Sequence, residues 1–230
     1  MCSILKGRKE LKHEISKMDG VLLKKRLSYF MNTDPHSNGS GGYNVRSVYF
    51  DNFENKALIE KKEGYMNRAK YRVRTYNDDF DTINLEKKSK KNNLTYKEKC
   101  RMTAEEYELI RAGDILWMEN DTRPLMRELF HNMVRYQLKP VTVVDYERDV
   151  YIYPYGNVRL TFDSNIRTSL RNPDFLNTTM PMVPSLDHQL MILEVKYDEY
   201  IPDVIKMLLQ MLDRRKGTYS KYQLSRMYGL

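Results

Sequence analysis

Polar and apolar residues alternate with a period of two through most of the middle of this chain. In KYRVR (70–74), Lys70, Arg72 and Arg74 share one side while Tyr71 and Val73 share the other. In LEKK (85–88), Glu86 and Lys88 stand opposite Leu85, and in TYKEK (95–99) Lys97 and Lys99 fall together. VRLTFD (158–163) sets Arg159, Thr161 and Asp163 against Val158, Leu160 and Phe162. ILEVKY (192–197) sets Glu194 and Lys196 against Leu193, Val195 and Tyr197. RKELK (8–12) groups Arg8, Glu10 and Lys12, and Arg148 follows Tyr146 by two. Successive side chains on a strand point to opposite faces, so each segment predicts a β-strand with one apolar and one charged face.

Extended with their flanks, these segments predict strands over 7–15, 44–51, 68–76, 82–89, 94–101, 141–153, 157–163 and 190–197, the sixth and seventh forming a hairpin that turns at 154–156. Helical spacing and end signals predict helices over 16–31, 55–63, 103–112, 122–138, 203–213 and 220–228. Ser16 caps the first, Thr103 and Glu106 form a capping box on the third, and Pro124 lies in the first turn of the fourth. Segment 34–42, DPHSNGSGG, is a Gly- and Ser-rich loop, and 171–184, with three prolines, is a second. No internal repeat occurs and neither loop separates two domains, so residues 1–230 are expected to form a single α+β domain around an antiparallel sheet.

A charged strand face usually meets water. Two features point elsewhere. The charged positions are Arg, Lys and Glu with little Ser, Thr or Gln, and several amphipathic helices need apolar surface to cover. If helices take the apolar face, the charged face lines the inside of a closed antiparallel β-barrel with flanking helices. A ring of interior cations repels itself and is costly to desolvate, so it implies a bound anion. Arg and Lys bind phosphate oxygens, one by a planar fork and the other as a point charge. Interior Glu suits a divalent metal that bridges phosphate and protein.

Composition narrows the partners without choosing among them. The chain carries a formal charge of +8, with 30% charged and 41% hydrophobic residues, which fits a globular protein that meets anions. An RNA binder would place aromatic and basic residues together on an open surface. Here they fall on separate faces, and no nucleic-acid partner is expected. No apolar run reaches membrane-spanning length and no signal peptide is evident, so a cytoplasmic location is expected, with a membrane partner on another chain left open. Cys2 and Cys100 are expected to be free thiols. The four histidines are scattered and no Gly-x-Ser-x-Gly occurs, which argues against covalent catalysis. Trp117 is expected to pack, and the lysine run 87–91 to be a solvated strand end apart from Lys88.

Nine segments together resemble the triphosphate tunnel metalloenzymes, and among these the polyphosphate polymerase (VTC-type) domain. They are KELKHEI (9–15), VRSVYFDN (45–52), KYRVRTYN (70–77), LEKKSK (85–90), LTYKEKC (94–100), DYERDVY (145–151), VRLTFD (158–163), ILEVKY (192–197) and YSKYQ (219–223). The resemblance implies a barrel enclosing a phosphate chain, with Mn or Mg as cofactor and ATP and polyphosphate as partners. It implies catalytic roles for Lys12, Arg72, Arg74, Lys88, Arg148 and Arg159, phosphate contacts from Lys97, Lys99, Lys196 and Lys221, and a metal at Glu194. The implied activity is transfer of the γ-phosphate of ATP onto polyphosphate. The first strand lacks the paired Glu-x-Glu of the family's triphosphatases, which favours the polymerase branch. A triphosphatase, an ATP cyclase and a non-catalytic polyphosphate-binding module are the alternatives. The resemblance does not extend to transmembrane or SPX domains, and so implies nothing about regulation.

Overall fold

A computed structural model describes residues 9–34, 42–92, 94–210, 215–216 and 220–226, the side chains of 215 and 216 excepted. In chain order the elements are β1 (Lys9–Ser16), α1 (Lys17–Leu27), β2 (Asn32–Thr33), β3 (Gly42–Asp51), α2 (Lys56–Lys62), β4 (Arg68–Tyr76), β5 (Ile83–Lys91), β6 (Leu94–Met102), α3 (Ala104–Ala112), α4 (Pro124–Tyr136), β7 (Lys139–Tyr153), β8 (Val158–Thr168), β9 (Val183–Pro184), β10 (Leu190–Tyr197), α5 (Asp203–Gln210), β11 (Arg215–Lys216) and α6 (Lys221–Arg226). Short 3₁₀ turns at Leu116–Met118 and Tyr155–Asn157 complete the set. Arg8, the loop at 35–41 and the ends of the two last expected helices lie outside the described residues.

The local signals act as expected. Ser16 Oγ accepts from Asp19 N at 3.0 Å and opens α1. Thr103 and Glu106 close their capping box, with Glu106 N donating to Thr103 Oγ1 and Thr103 N to Glu106 Oε2. Gly113 ends α3 at φ 89°, the left-handed region that glycine enters at low cost. Pro124 occupies the first turn of α4. β8 runs five residues past its expected end, because Ser164–Thr168 continue the same strand.

The chain groups into two compact units. The first comprises Met1–Asn44, Tyr146–Arg167 and Pro184–Leu224; the second comprises Val45–Asp145, Thr168–Val183 and Ser225–Leu230. In the first, β1 pairs antiparallel with β10, β10 with β8, and β8 adjoins β7. The apolar side of these strands supplies Ile15, Val158, Leu160, Phe162, Leu193 and Val195, which pack with Leu23 and Leu27 of α1 and Ile205 and Leu209 of α5. In the second, β3 pairs with β4, β4 with β5 and β5 with β6, all antiparallel. Val48, Val73, Ile83 and Leu85 there meet Tyr107 and Ile110 of α3 and Met126 and Leu129 of α4. In each unit, then, helices take the apolar strand face.

Pairing follows the path β11-β1-β10-β8-β7-β3-β4-β5-β6, with β2 on β7 and β9 on β8. The path ends at β11 and β6, so hydrogen bonds do not close the sheet among the described residues. The expected closed barrel is corrected to a large antiparallel sheet in an α+β fold. The physical reason is visible at β6, an edge strand whose residues 94–99 are all exposed and include Lys97 and Lys99. Lysines of this kind keep an edge soluble and unpaired.

Two buried residues depart from the expected pattern. Lys87, expected in a solvated run, is 7% exposed on the helix-covered face. Its ammonium reaches Glu98 at 2.9 Å and Glu128 of α4 at 2.7 Å. Arg46 is 1% exposed among apolar residues of the second unit. It donates to the Phe175 carbonyl at 2.8 Å and pairs with Asp145 at 3.3 Å, anchoring the segment after β8. Both burials are possible because each charge is paired and hydrogen-bonded. Trp117 packs against the core of the second unit as expected.

Candidate functional site

The charged faces of the two units each form an array, with Asp163, Glu194 and Glu86 buried and many of the cations around them partly or fully exposed. In the first unit, strand register aligns residues that share a face. Glu10, Lys196 and Arg159 lie in one row across β1, β10 and β8, and Lys12, Glu194 and Thr161 lie in the next. Lys196 Nζ stands 3.0 Å from Glu194 Oε1, and Lys12 Nζ 2.9 Å from Glu10 Oε1. Arg148 of β7 grips Asp163 with two bonds, Nε to Oδ1 at 2.6 Å and a terminal nitrogen to Oδ2 at 2.9 Å. Lys221, opening α6, also pairs with Asp163. The Tyr146 ring lies 5.2 Å from the Arg148 guanidinium and 4.5 Å from the Lys221 ammonium. Arg159 bonds Asp34 at 2.9 Å.

The electrostatics follow from this crowding. Burial would raise the Asp163 carboxyl, but Arg148 and Lys221 outweigh it and bring it down to about 2. Burial likewise opposes ionisation of Glu194, yet Lys12, Lys196, Arg148 and Lys221 hold it well below the usual carboxylate range. Burial would lower the Lys12 ammonium, but Glu194, Glu10 and Asp163 raise it instead. Asp163 and Glu194 are therefore anionic, and Lys12 cationic, near neutral pH.

The second array lies on β3 to β6. Tyr49, Arg72, Glu86 and Lys99 occupy one row; Lys70, Lys88 and Lys97 occupy the next. Arg72 Nε donates to Glu86 Oε2 at 2.8 Å, and Lys97 Nζ stands 3.0 Å from Glu86 Oε1. Arg74 lies 3.9 Å from the same carboxylate and donates through Nε to Ser47 Oγ at 2.9 Å. Burial pushes the Glu86 carboxyl up, but Arg72, Arg74 and Lys97 drive it well below its ordinary range. One carboxylate thus orients three cations.

Of the expected site residues, Lys12, Arg148, Arg159, Lys196, Lys221 and Glu194 come together in the first array, Lys196 and Arg159 in one row and Lys12 and Glu194 in the next. Arg72, Arg74 and Lys97 come together in the second. Lys88 and Lys99 share the second array's face at exposed positions. Sequence reasoning missed the carboxylates that hold these cations: Asp163, Glu86 and Asp34. Alternation did place Asp163 and Glu86 on charged faces, a signal strong enough to have found them. Asp34, at the edge of a polar loop, carried none.

Nothing in either array looks like a nucleophile poised for covalent chemistry. The free Cys100 thiol is pushed up to about 11, chiefly by burial, and is therefore inert at neutral pH. His13 is buried, whereas His131 and His188 are exposed. Among the described residues no group of three His, Cys, Asp or Glu side chains could hold a metal. The residues therefore do not suit an ion caged by protein alone. A divalent ion bound by one or two carboxylates, with substrate phosphates completing its shell, would need no such group, and the buried carboxylates of the first array are Glu194 and Asp163. Among the described residues no helix is long and apolar enough to cross a membrane.

Solved structures share this fold. A candidate adenylyl cyclase from Hippeastrum with a dominant triphosphatase activity aligns at a TM-score of 0.55 and 14% identity, over 95% of this chain and 94% of its own. A candidate adenylate cyclase from Bacillus halodurans aligns at 0.54 and 13% identity, over 95% of this chain and 96% of its own. No curated protein matches the sequence. The family model described as the VTC domain matches residues 7–228, nearly the whole length and both charged arrays. With both charged arrays inside the matched span, the chain belongs to the VTC domain family.

Proposed function

We propose that this chain is a metal-dependent polyphosphate polymerase that transfers the γ-phosphate of ATP onto a polyphosphate chain. The observation that carries the reading is the pair of strand faces where Arg and Lys are held ordered by a few buried carboxylates, in a VTC-family chain. Phosphoryl transfer asks little covalent chemistry of a protein; it needs positioning and charge neutralisation. In the step proposed, a terminal oxygen of polyphosphate forms a bond to the γ-phosphorus. The bond from that phosphorus to the β–γ bridging oxygen breaks, and ADP leaves.

Arg72 and Arg74 present guanidinium forks already oriented by Glu86, so little ordering entropy is lost when phosphate binds. Lys97, Lys88 and Lys99 add point charges around that face. In the first array Lys12, Arg148, Arg159, Lys196 and Lys221 neutralise phosphate charge, and Glu194 would hold Mn or Mg, which supplies Lewis-acid charge stabilisation when bound. An unpaired thiol at Cys100 and ATP as donor suit a reducing, ATP-rich compartment.

A second reading, a triphosphatase, is favoured by the activity of the Hippeastrum structural relative. Against it, the first strand offers Glu10-Leu11-Lys12 rather than paired glutamates. The test is to incubate purified protein with ATP and Mn and to resolve the products on a polyacrylamide gel stained for polyphosphate. Arg72→Ala/Arg74→Ala is run alongside. A ladder from the unaltered chain, reduced at least about a hundredfold in the double variant, is expected if these charges act mainly on the transition state. Orthophosphate without a ladder would replace polymerase by triphosphatase. No consumption of ATP would leave a binding module.

A further inference from the structure

Thr161 sits in the middle of β8's charged face, with Arg159 two residues before it and Asp163 two residues after. Strand register places it directly opposite Glu194, which in turn lies opposite Lys12. Side chains opposite one another in an antiparallel pair share a face at Cβ separations of roughly 4.5–5.5 Å. Thr161 is 1% exposed, and its Oγ1 meets no hydrogen-bond partner among the described residues.

A threonine hydroxyl has one proton to give and two lone pairs, and a buried one left unpaired is destabilising. The neighbouring polar groups turn elsewhere. Glu194 directs Oε1 to Lys196, and both oxygens of Asp163 are taken by Arg148 and Lys221. A valine would fill the same volume without the cost. A buried hydroxyl at the end of a row that carries a glutamate and a lysine is explained if its partner arrives with the substrate.

We propose that Thr161 is a phosphate-binding residue whose hydroxyl donates to a non-bridging phosphate oxygen seated against the Lys12–Glu194–Thr161 row. This rests on the phosphate-handling reading above and adds to it a neutral donor among the cations. A neutral donor distinguishes where an oxygen sits, whereas cations attract the chain wherever it lies. Thr161 therefore sets the register of the phosphate chain along the row.

The test is isothermal titration calorimetry of the full chain with tripolyphosphate in the presence of MgCl₂, for the unaltered protein, Thr161→Val and Thr161→Ser, with thermal unfolding of each in phosphate-free buffer. Loss of a hydrogen bond to a charged group should weaken binding by about tenfold in Thr161→Val, while Thr161→Ser stays within about twofold. The melting temperature of Thr161→Val should be unchanged or higher, because an unpaired buried hydroxyl is removed. A hydroxyl serving only the fold would instead lower the melting temperature and leave affinity alone, which overturns the proposal. Thr161→Ala, of different shape, carries the binding measurement if valine does not fold. If the unaltered protein fails to bind tripolyphosphate, the phosphate reading fails and Thr161 falls with it. If it binds and Thr161→Val binds equally well, the Thr161 proposal alone is wrong.

Discussion

The two charged arrays solve the same problem, holding like charges close together, with different ratios of acid to base. In the first, Asp163 and Glu194 stand among Lys12, Arg148, Lys196 and Lys221, and Arg159 has Asp34. Side-chain exposure is zero at Asp163 and 13% at Arg148. In the second, Glu86 faces Arg72, Arg74 and Lys97, on a face that also carries Lys70, Lys88 and Lys99. The Lys97 side chain is 47% exposed. A buried charge must be compensated by its own fold, whereas a charge near water can wait for a ligand. The first array is therefore held mostly by its own buried carboxylates, and the second keeps more of its cations near water, where they can meet a polyanion.

Stability measurements can break that distinction. The largest effect is expected from Asp163→Asn, which leaves Arg148 and Lys221 buried without their counter-charge. A loss of about 3–5 kcal/mol in urea unfolding is expected, and less than about 1 kcal/mol would remove the idea that this array is tied together by its carboxylates. Acid should act next. The Asp163 carboxyl lies at about 2 in the fold against an ordinary 3.8, so its stabilisation is present above 3.8 and is lost as pH falls toward about 2. Asp163 alone accounts for about 2 kcal/mol across that window, and Glu194 and Glu86, also depressed, add in the same direction. A stability that stays flat from pH 5 to about 2 would contradict the assignment.

Glu86→Gln should cost less, about 1–2 kcal/mol, because Arg72 and Lys97 can turn to water. It should also loosen the guanidinium forks and lower turnover more than it lowers affinity for phosphate. The smallest change is expected from Lys88→Ala/Lys99→Ala, within about 0.5 kcal/mol of the unaltered chain by urea. Tripolyphosphate binding in that variant should weaken a few-fold and depend less steeply on salt, if the second array is the one that draws in polyanions. A salt dependence identical to that of the unaltered protein would assign the attraction elsewhere.

Much of this was readable from one strand at a time. The period of two set which residues share a face, so Arg72 with Arg74, Glu194 with Lys196 and Arg159 with Thr161 and Asp163 were placed correctly. Strands β4 and β10 have the bounds their patterns predicted. The caps at Ser16 and Thr103 follow from hydrogen bonds made within three residues, and so are written locally.

Tertiary structure decided everything that depends on neighbours distant in sequence. Lys87 looked like one more solvated lysine, and only α4, 41 residues on, supplies the Glu128 that makes its burial tolerable. Asp163 looked like an ordinary end to an alternating strand until Lys221, 58 residues later, came to rest on it. The open ends of the pairing path at β11 and β6 are likewise a matter of which edges find partners, and alternation does not report that. The chain's own pattern determined that charged faces would exist and which residues would line them. Register and packing alone determined which charges are buried among partners and which stay near water, because the energy of a buried charge is set by what surrounds it and not by its place in the chain.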